Sequence, residues 1–94
     1  MPRYLIERTF PGGLQIPMSD DGRKAVAKVV DTNAGEGVTW VHSYVSDSLE
    51  KTFCVYDGPS AEAIRRVAER NGLPIDVITE VRVLGPYFYL ENGA

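Results

Sequence analysis

Apolar and polar residues alternate in four segments of the chain, and this period-two pattern predicts four β-strands. The segments are RYLIERTF (3–10), VTWVHSYVS (38–46), KTFCVYD (51–57) and IDVITEVRVLG (75–85). Only a short polar stretch, DSLE, leads from the second segment to the third, so these two strands are expected to form a hairpin.

Two segments between the strands have the three-to-four-residue apolar spacing of an amphipathic helix. The first is expected to begin near Ser19, which is followed by two aspartates, and to end before Gly35. The second is expected to begin after Ser60 and to end at the pair Asn71-Gly72. The order strand, helix, hairpin, helix, strand predicts an α+β, ferredoxin-like βαββαβ fold, whose antiparallel sheet carries both helices on one face.

This fold has a covered face, which packs against the helices, and an open face, which does not. The side chains expected on the covered face are Tyr4, Ile6, Phe10, Val41, Val45, Phe53, Val55, Val81 and Val83. The side chains expected on the open face are Leu5, Glu7, Thr9, Trp40, His42, Tyr44, Thr52, Cys54, Tyr56, Ile78, Glu80 and Arg82. An open face with so many large apolar groups is not expected to stay in water, so we predict that a second copy covers it in a two-fold homodimer.

Composition narrows the classes of partner. The 94 residues are expected to form one domain over positions 1–94, and a net charge of −3 argues against a nucleic-acid partner. The single cysteine cannot form an internal disulfide, which suits a reducing compartment. The sequence lacks both a long apolar run and the pattern of a signal peptide, so we expect no membrane partner and a cytoplasmic location.

The open face, as predicted, also holds the groups that bind metal ions. Imidazole, thiolate and carboxylate are ligands of divalent transition metals such as nickel, zinc and cobalt, which makes His42, Cys54, Glu7 and Glu80 the candidate ligands. None of them has the close spacing of a diagnostic metal motif. A structural histidine and a small buried cysteine remain open as alternatives.

Strand register decides whether these groups meet. If Tyr44 pairs with Thr52 across the hairpin, His42 lies opposite Cys54. In the usual ferredoxin-like strand order, the first strand lies between the third and the fourth and would place Glu7 beside both Cys54 and Glu80.

A small-molecule site is a second interpretation of the same face. Trp40, Tyr44 and Tyr56 would line an apolar pocket there, as in a ligand-binding module or a cofactor-independent monooxygenase or isomerase, with His42 as a proton carrier. A Cys–His nucleophile lacks an orienting third group, and no residue pattern marks a reaction, so we favour a protein that is not an enzyme. A purely structural dimer is the third interpretation.

Four separated blocks of the sequence carry a family resemblance: YLIERTFPGGL, GVTWVHSYVSDSLEKTFCVYDGPS, AIRRVAERNGLP and ITEVRVLGPYFY. They resemble a small bacterial family classified as a domain of unknown function, whose members are described as ferredoxin-like and one of which is described as a nickel-responsive, nickel-binding homodimer. The resemblance implies a dimeric α/β barrel and nickel binding. It places the family's histidine at His42 and its cysteine at Cys54, without implying a full set of ligands.

Overall fold

A four-stranded antiparallel sheet forms the centre of the protein in a computed structural model that describes residues 1–16 and 18–87. The elements are β1 (Arg3–Thr9), α1 (Asp20–Ala34), β2 (Thr39–Val45), β3 (Lys51–Asp57), α2 (Ala61–Asn71) and β4 (Val77–Val81). The strands lie in the order β2-β3-β1-β4, which confirms the predicted ferredoxin-like arrangement. Neither helix in the described part of the chain has the length and apolar character that a bilayer crossing needs.

Helix α2 packs tightly against the sheet and has the two ends that the sequence predicts. The Ser60 hydroxyl accepts a hydrogen bond from the Ala63 backbone N–H at 3.2 Å, which caps the first turn. Gly72 adopts a left-handed conformation, with φ of 68°, and closes the last turn. The buried side chains of α2 are Ala63, Ile64, Val67 and Ala68.

Helix α1 follows the predicted course but packs loosely. Its buried residues are Gly22 and Asn33, whereas Val26 and Val29 are half-buried and Val30 is exposed. The side chains that α1 directs toward the sheet are therefore short, and they do not fill the space beneath the helix. This difference between the two helices leaves a cavity on the covered face.

The burial of β1 and β3 shows which of their side chains the helices cover. The buried side chains face one another across the two strands as the pairs Tyr4 with Tyr56, Ile6 with Cys54, and Arg8 with Thr52. Ile64 and Val67 of α2 join the core that these pairs form. Leu5 and Glu7 alternate with the buried positions of β1 and lie on the open face, as predicted.

The predicted assignment of the β3 side chains to the covered and open faces is wrong. Phe53 and Val55 lie on the open face, whereas Thr52, Cys54 and Tyr56 lie on the covered face. The strand is central in the sheet and is apolar at both parities, so its composition does not distinguish the two faces. Its register with β1 makes the distinction, because residues paired across two strands share a face.

A β-bulge divides β2. Trp40 pairs with Tyr56 and His42 with Val55, so Val41 is an extra residue without a partner of its own. Trp40 therefore lies on the covered face, where it packs against the core, and its predicted place on the open face is wrong. His42 lies on the open face, as predicted.

Strand β4 also departs from its predicted faces. Ile78 pairs with Ile6 and Glu80 with Tyr4, so both share the covered side of the sheet with the buried residues of β1. Val81 pairs with Arg3 and lies on the open side. The strand ends at Val81, earlier than the apolar pattern predicts, and Arg82 and Val83 follow it as exposed residues.

Replacing a central core side chain tests this packing. Ile6 is fully buried between β3 and β4, and Ile6→Ala is expected to lower the free energy of unfolding by about 2–5 kcal/mol because it leaves a cavity. Val30→Ala, at an exposed position of α1, is expected to change it by no more than about 0.5 kcal/mol. Urea denaturation followed by circular dichroism measures both values. Equal losses for the two variants would contradict the assigned core.

An ion pair at one end of the open face makes stability depend on pH. Arg3 Nε donates to Asp57 Oδ1 at 2.7 Å and a second guanidinium nitrogen donates to Oδ2 at 3.0 Å. These hydrogen bonds hold the pKa of Asp57 below its usual value, so the carboxylate stabilises the fold above its unfolded pKa of about 3.9. That contribution is lost as the pH falls through the lower, folded-state pKa.

The expected signature is a pH-dependent difference between the wild type and Asp57→Asn. Denaturation midpoints should differ at pH 6 and converge as the pH is lowered from the unfolded pKa of about 3.9 through the lower folded-state pKa, where Asp57 of the wild type takes up its proton. A difference that stays constant over this interval would show that the ion pair does not contribute.

Candidate functional site

The open face is more apolar than a solvated sheet surface normally is. Its members in the middle of the four strands are Leu5, Glu7, His42, Tyr44, Phe53, Val55, Val77 and Thr79. At its two ends lie Arg3, Thr9, Thr39, Lys51, Asp57 and Val81. Tyr44 is 64% exposed and Val77 is 45% exposed, while Phe53 and Val55 are half-buried by their neighbours. The open face is thus apolar, as predicted, although several of the residues that form it differ from those predicted.

His42 is an exposed group on this face. It lies on β2, an edge strand, and the centroid of its ring is 5.2 Å from that of Tyr44, with the two rings nearly perpendicular at 86°. Val55 lies beside it on β3. The imidazole is therefore oriented by an aromatic neighbour and remains accessible from outside.

The structure does not bring the four predicted metal ligands together. Glu7 shares the open face with His42, but it pairs with Phe53 and Val77, which places it two strands away and about 12 Å from His42 by strand spacing. Cys54 and Glu80 belong to the covered side. Within residues 1–16 and 18–87, no group of three or more histidine, cysteine, aspartate or glutamate side chains is placed to hold a metal ion.

Register explains this separation. Tyr44 pairs with Phe53 and not with Thr52, so the predicted alignment is displaced by one residue and His42 is not opposite Cys54. Cys54 is buried instead, and its thiol lies 3.7 Å from the Thr52 hydroxyl. Glu80 neighbours Tyr4, whose pKa is raised first by burial of the phenol and then by this carboxylate.

A cavity of about 540 Å³ lies on the other side of the sheet, beneath α1. Its apolar walls are formed by Phe10, Leu14, Ile16, Ala25, Val26, Val29, Trp40, Val45, Tyr56 and Leu73. Trp40 and Tyr56, two of the three predicted ligand-binding aromatics, are among them, with ring centroids 6.4 Å apart. Tyr44 lies on the opposite face, so the apolar pocket is not on the open face where we predicted it.

Arg8 gives this cavity a positive charge. Arg8 lines the cavity and is only 3% exposed. Its guanidinium carbon is 5.5 Å from the centroid of the Tyr56 ring. The buried Nε atom has no hydrogen-bond partner in the described part of the chain. Burial raises the pKa of the Tyr56 phenol, and the charge of Arg8 opposes that rise.

The prediction from sequence missed Arg8, although the chain carries a signal for it. Arg8 is in phase with Tyr4, Ile6 and Phe10, which were all assigned to the covered face. A charged residue in phase with buried positions is unusual, because burying an unpaired charge is costly. That mismatch is the feature that could have identified the site.

Comparison with known proteins places the chain in a family. It is similar to the protein in "Crystal structure analysis of SCO4226 from Streptomyces coelicolor A3(2)", with 26% sequence identity, coverage of 88% of this chain and 99% of that one, and a TM-score of 0.71. No curated protein matches it. The model of a family described as "Nickel responsive protein SCO4226-like" matches residues 4–81, which include all of the six helices and strands named above except Arg3, the first residue of β1. The chain therefore belongs to the SCO4226-like family of nickel-responsive proteins.

Proposed function

We propose that this protein is a homodimer that binds nickel or a similar divalent transition metal on its open face, for sequestration or sensing. The observation that carries the proposal is the position of His42. It is the only histidine of the chain, it is exposed on an edge strand, and the chain belongs to a nickel-responsive family. An accessible imidazole is a good ligand for nickel.

Pairing of two open faces supports the dimer. The exposed parts of Tyr44 and Val77, and the half-buried Leu5, Phe53 and Val55, form an apolar surface that neither helix covers. A two-fold contact would place the same surface of a second copy against it and remove both from water. The result is the dimeric α/β barrel that the sequence resemblance implies.

A dimer also supplies metal ligands that one chain lacks. Each copy contributes one His42 and one Glu7 to the shared interface, which doubles the number of nitrogen and oxygen donors. Cys54 and Glu80 are not part of the proposed set, because their side of the sheet faces the helices. The donors are therefore imidazole and carboxylate, a combination that suits nickel and zinc.

Calorimetry on metal-free protein tests the metal site. Nickel is expected to bind the wild type with saturable heat, and His42→Ala is expected to weaken binding by at least about tenfold because it removes the proposed nitrogen donor. Glu80→Gln is the matched control. It removes a carboxylate from the covered side and should leave the affinity within about threefold of the wild type, the usual spread for a distant change.

Two outcomes would contradict the metal proposal. The first is heat no greater than dilution when nickel is added to the wild type. The second is undiminished binding by His42→Ala, which would place the metal elsewhere.

Sedimentation tests the dimer separately. The wild type is expected to sediment as a dimer, and Tyr44→Glu as a monomer, because a carboxylate at this position would have to be buried against an apolar partner surface. Val30→Glu places the same charge on an exposed position of α1 and should remain dimeric. A monomeric wild type at high protein concentration would reject the proposed contact.

A further inference from the structure

The cavity beneath α1 combines apolar walls with a buried positive charge that has no carboxylate partner among residues 1–16 and 18–87. Arg8 is only 3% exposed, and the described residues place no carboxylate within ion-pair distance of it. Burying a positive charge away from a carboxylate is costly, and an anion in the cavity would offset that cost. The nearby Tyr56 ring, at 5.5 Å, offers a cation–π contact but no negative charge.

The charged groups around the cavity have one sign. Lys28 of α1 joins Arg8 in the cavity lining, and no aspartate or glutamate from the described residues lines it. The lining therefore differs in charge from the chain as a whole, in which 13 acidic residues outnumber 10 basic ones. A partly enclosed cavity with positively charged lining residues favours binding of an anionic ligand over a neutral or cationic one.

The residues that form the walls of the cavity indicate the chemistry of the uncharged part of the ligand. Aromatic and aliphatic side chains surround most of the cavity, and its volume of about 540 Å³ falls within the usual range for small-molecule sites. Arginine recognises a carboxylate through paired, charge-assisted hydrogen bonds, and the free Nε atom is one of the donors in that geometry. An inorganic anion would satisfy Arg8 but leave the apolar walls empty.

We propose that this cavity binds a small organic acid with an apolar body, its carboxylate on Arg8 and its body against Trp40 and the side chains of α1. The site is independent of the proposed metal site, since Trp40 and His42 lie on opposite faces of the sheet. The loose packing of α1 leaves the volume that the acid occupies, and Arg8 selects its charge.

Fluorescence provides a direct assay, because Trp40 is the only tryptophan of the chain and lines the cavity. Decanoate and 4-phenylbutyrate serve as aliphatic and aromatic probes, with decan-1-ol as the neutral analogue of the first. At least one acid is expected to change the Trp40 emission in a saturable manner, and decanoate should bind at least about tenfold more tightly than decan-1-ol if it is the preferred acid. If 4-phenylbutyrate is preferred, 4-phenylbutan-1-ol takes the place of the alcohol.

Substitutions assign the charge selection to Arg8. Arg8→Met keeps a long side chain without the charge and is expected to abolish the preference for acid over alcohol, while Arg65→Met, at an exposed position of α2, should retain it. If Arg8→Met does not fold, Val29→Phe serves instead. It is expected to fill the cavity from α1 and weaken binding of the acid by at least about tenfold, while nickel binding is unchanged.

The proposal is overturned if neither acid gives saturable binding, if acid and alcohol bind equally, or if a folded Arg8→Met retains the preference. Nickel calorimetry on the same variants separates the two sites. Loss of acid binding with intact nickel binding supports a site on the covered face, whereas joint loss in a folded variant would contradict the independence of the two sites.

Discussion

The β-bulge in β2 is the constraint on which the arrangement of both candidate sites depends. In a regular strand, Trp40 and His42 would lie on the same face, because they are two residues apart. The extra residue, Val41, changes the alternation, so Trp40 packs against the core while His42 turns outward. One backbone irregularity thereby separates an apolar, positively charged cavity from an accessible imidazole.

The two helices contribute unequally to the fold, and the difference creates the cavity. Helix α2 buries four side chains against the sheet, whereas α1 contributes only Gly22 and Asn33 to the buried set. A cavity and a buried arginine with no carboxylate partner in the described part of the chain each reduce stability, and neither is needed to complete a ferredoxin-like fold. Departures of this kind from good packing are typical of binding sites, where stability is given up for function.

Much of the fold could be predicted from local signals in the sequence. The cap at Ser60, the left-handed turn at Gly72 and the short hairpin between β2 and β3 depend on neighbouring residues, and they agree with the structure. The faces of β3 could not be predicted in this way, because Phe53 and Val55 are as apolar as the Cys54 and Tyr56 that alternate with them. Only the pairing with β1, a contact between distant parts of the chain, distinguishes the two sets.

The positions of the four candidate metal ligands were predicted only in part for the same reason. His42 and Glu7 were placed on the open face correctly, whereas Cys54 and Glu80 were assigned to it because the apolar residues next to them, Phe53, Val55 and Val81, were expected to face the helices. Bulges are not encoded by a recognisable residue pattern here, since TWVHSYV reads as a continuous strand. Arg8 is the opposite case, because the local sequence pattern was enough to predict its burial. It is a charged residue in phase with Tyr4, Ile6 and Phe10, which were all expected on the covered face.

Nuclear Overhauser measurements on the metal-free protein test the bulge most directly. With the bulge in place, cross-peaks are expected from the His42 ring to the Val55 methyl groups and the Tyr44 ring, and from the Trp40 indole to Tyr56 on the covered face. Cross-peaks from His42 to Cys54, with Trp40 and His42 on one face of the sheet, would show a regular strand and contradict the separation of the two sites.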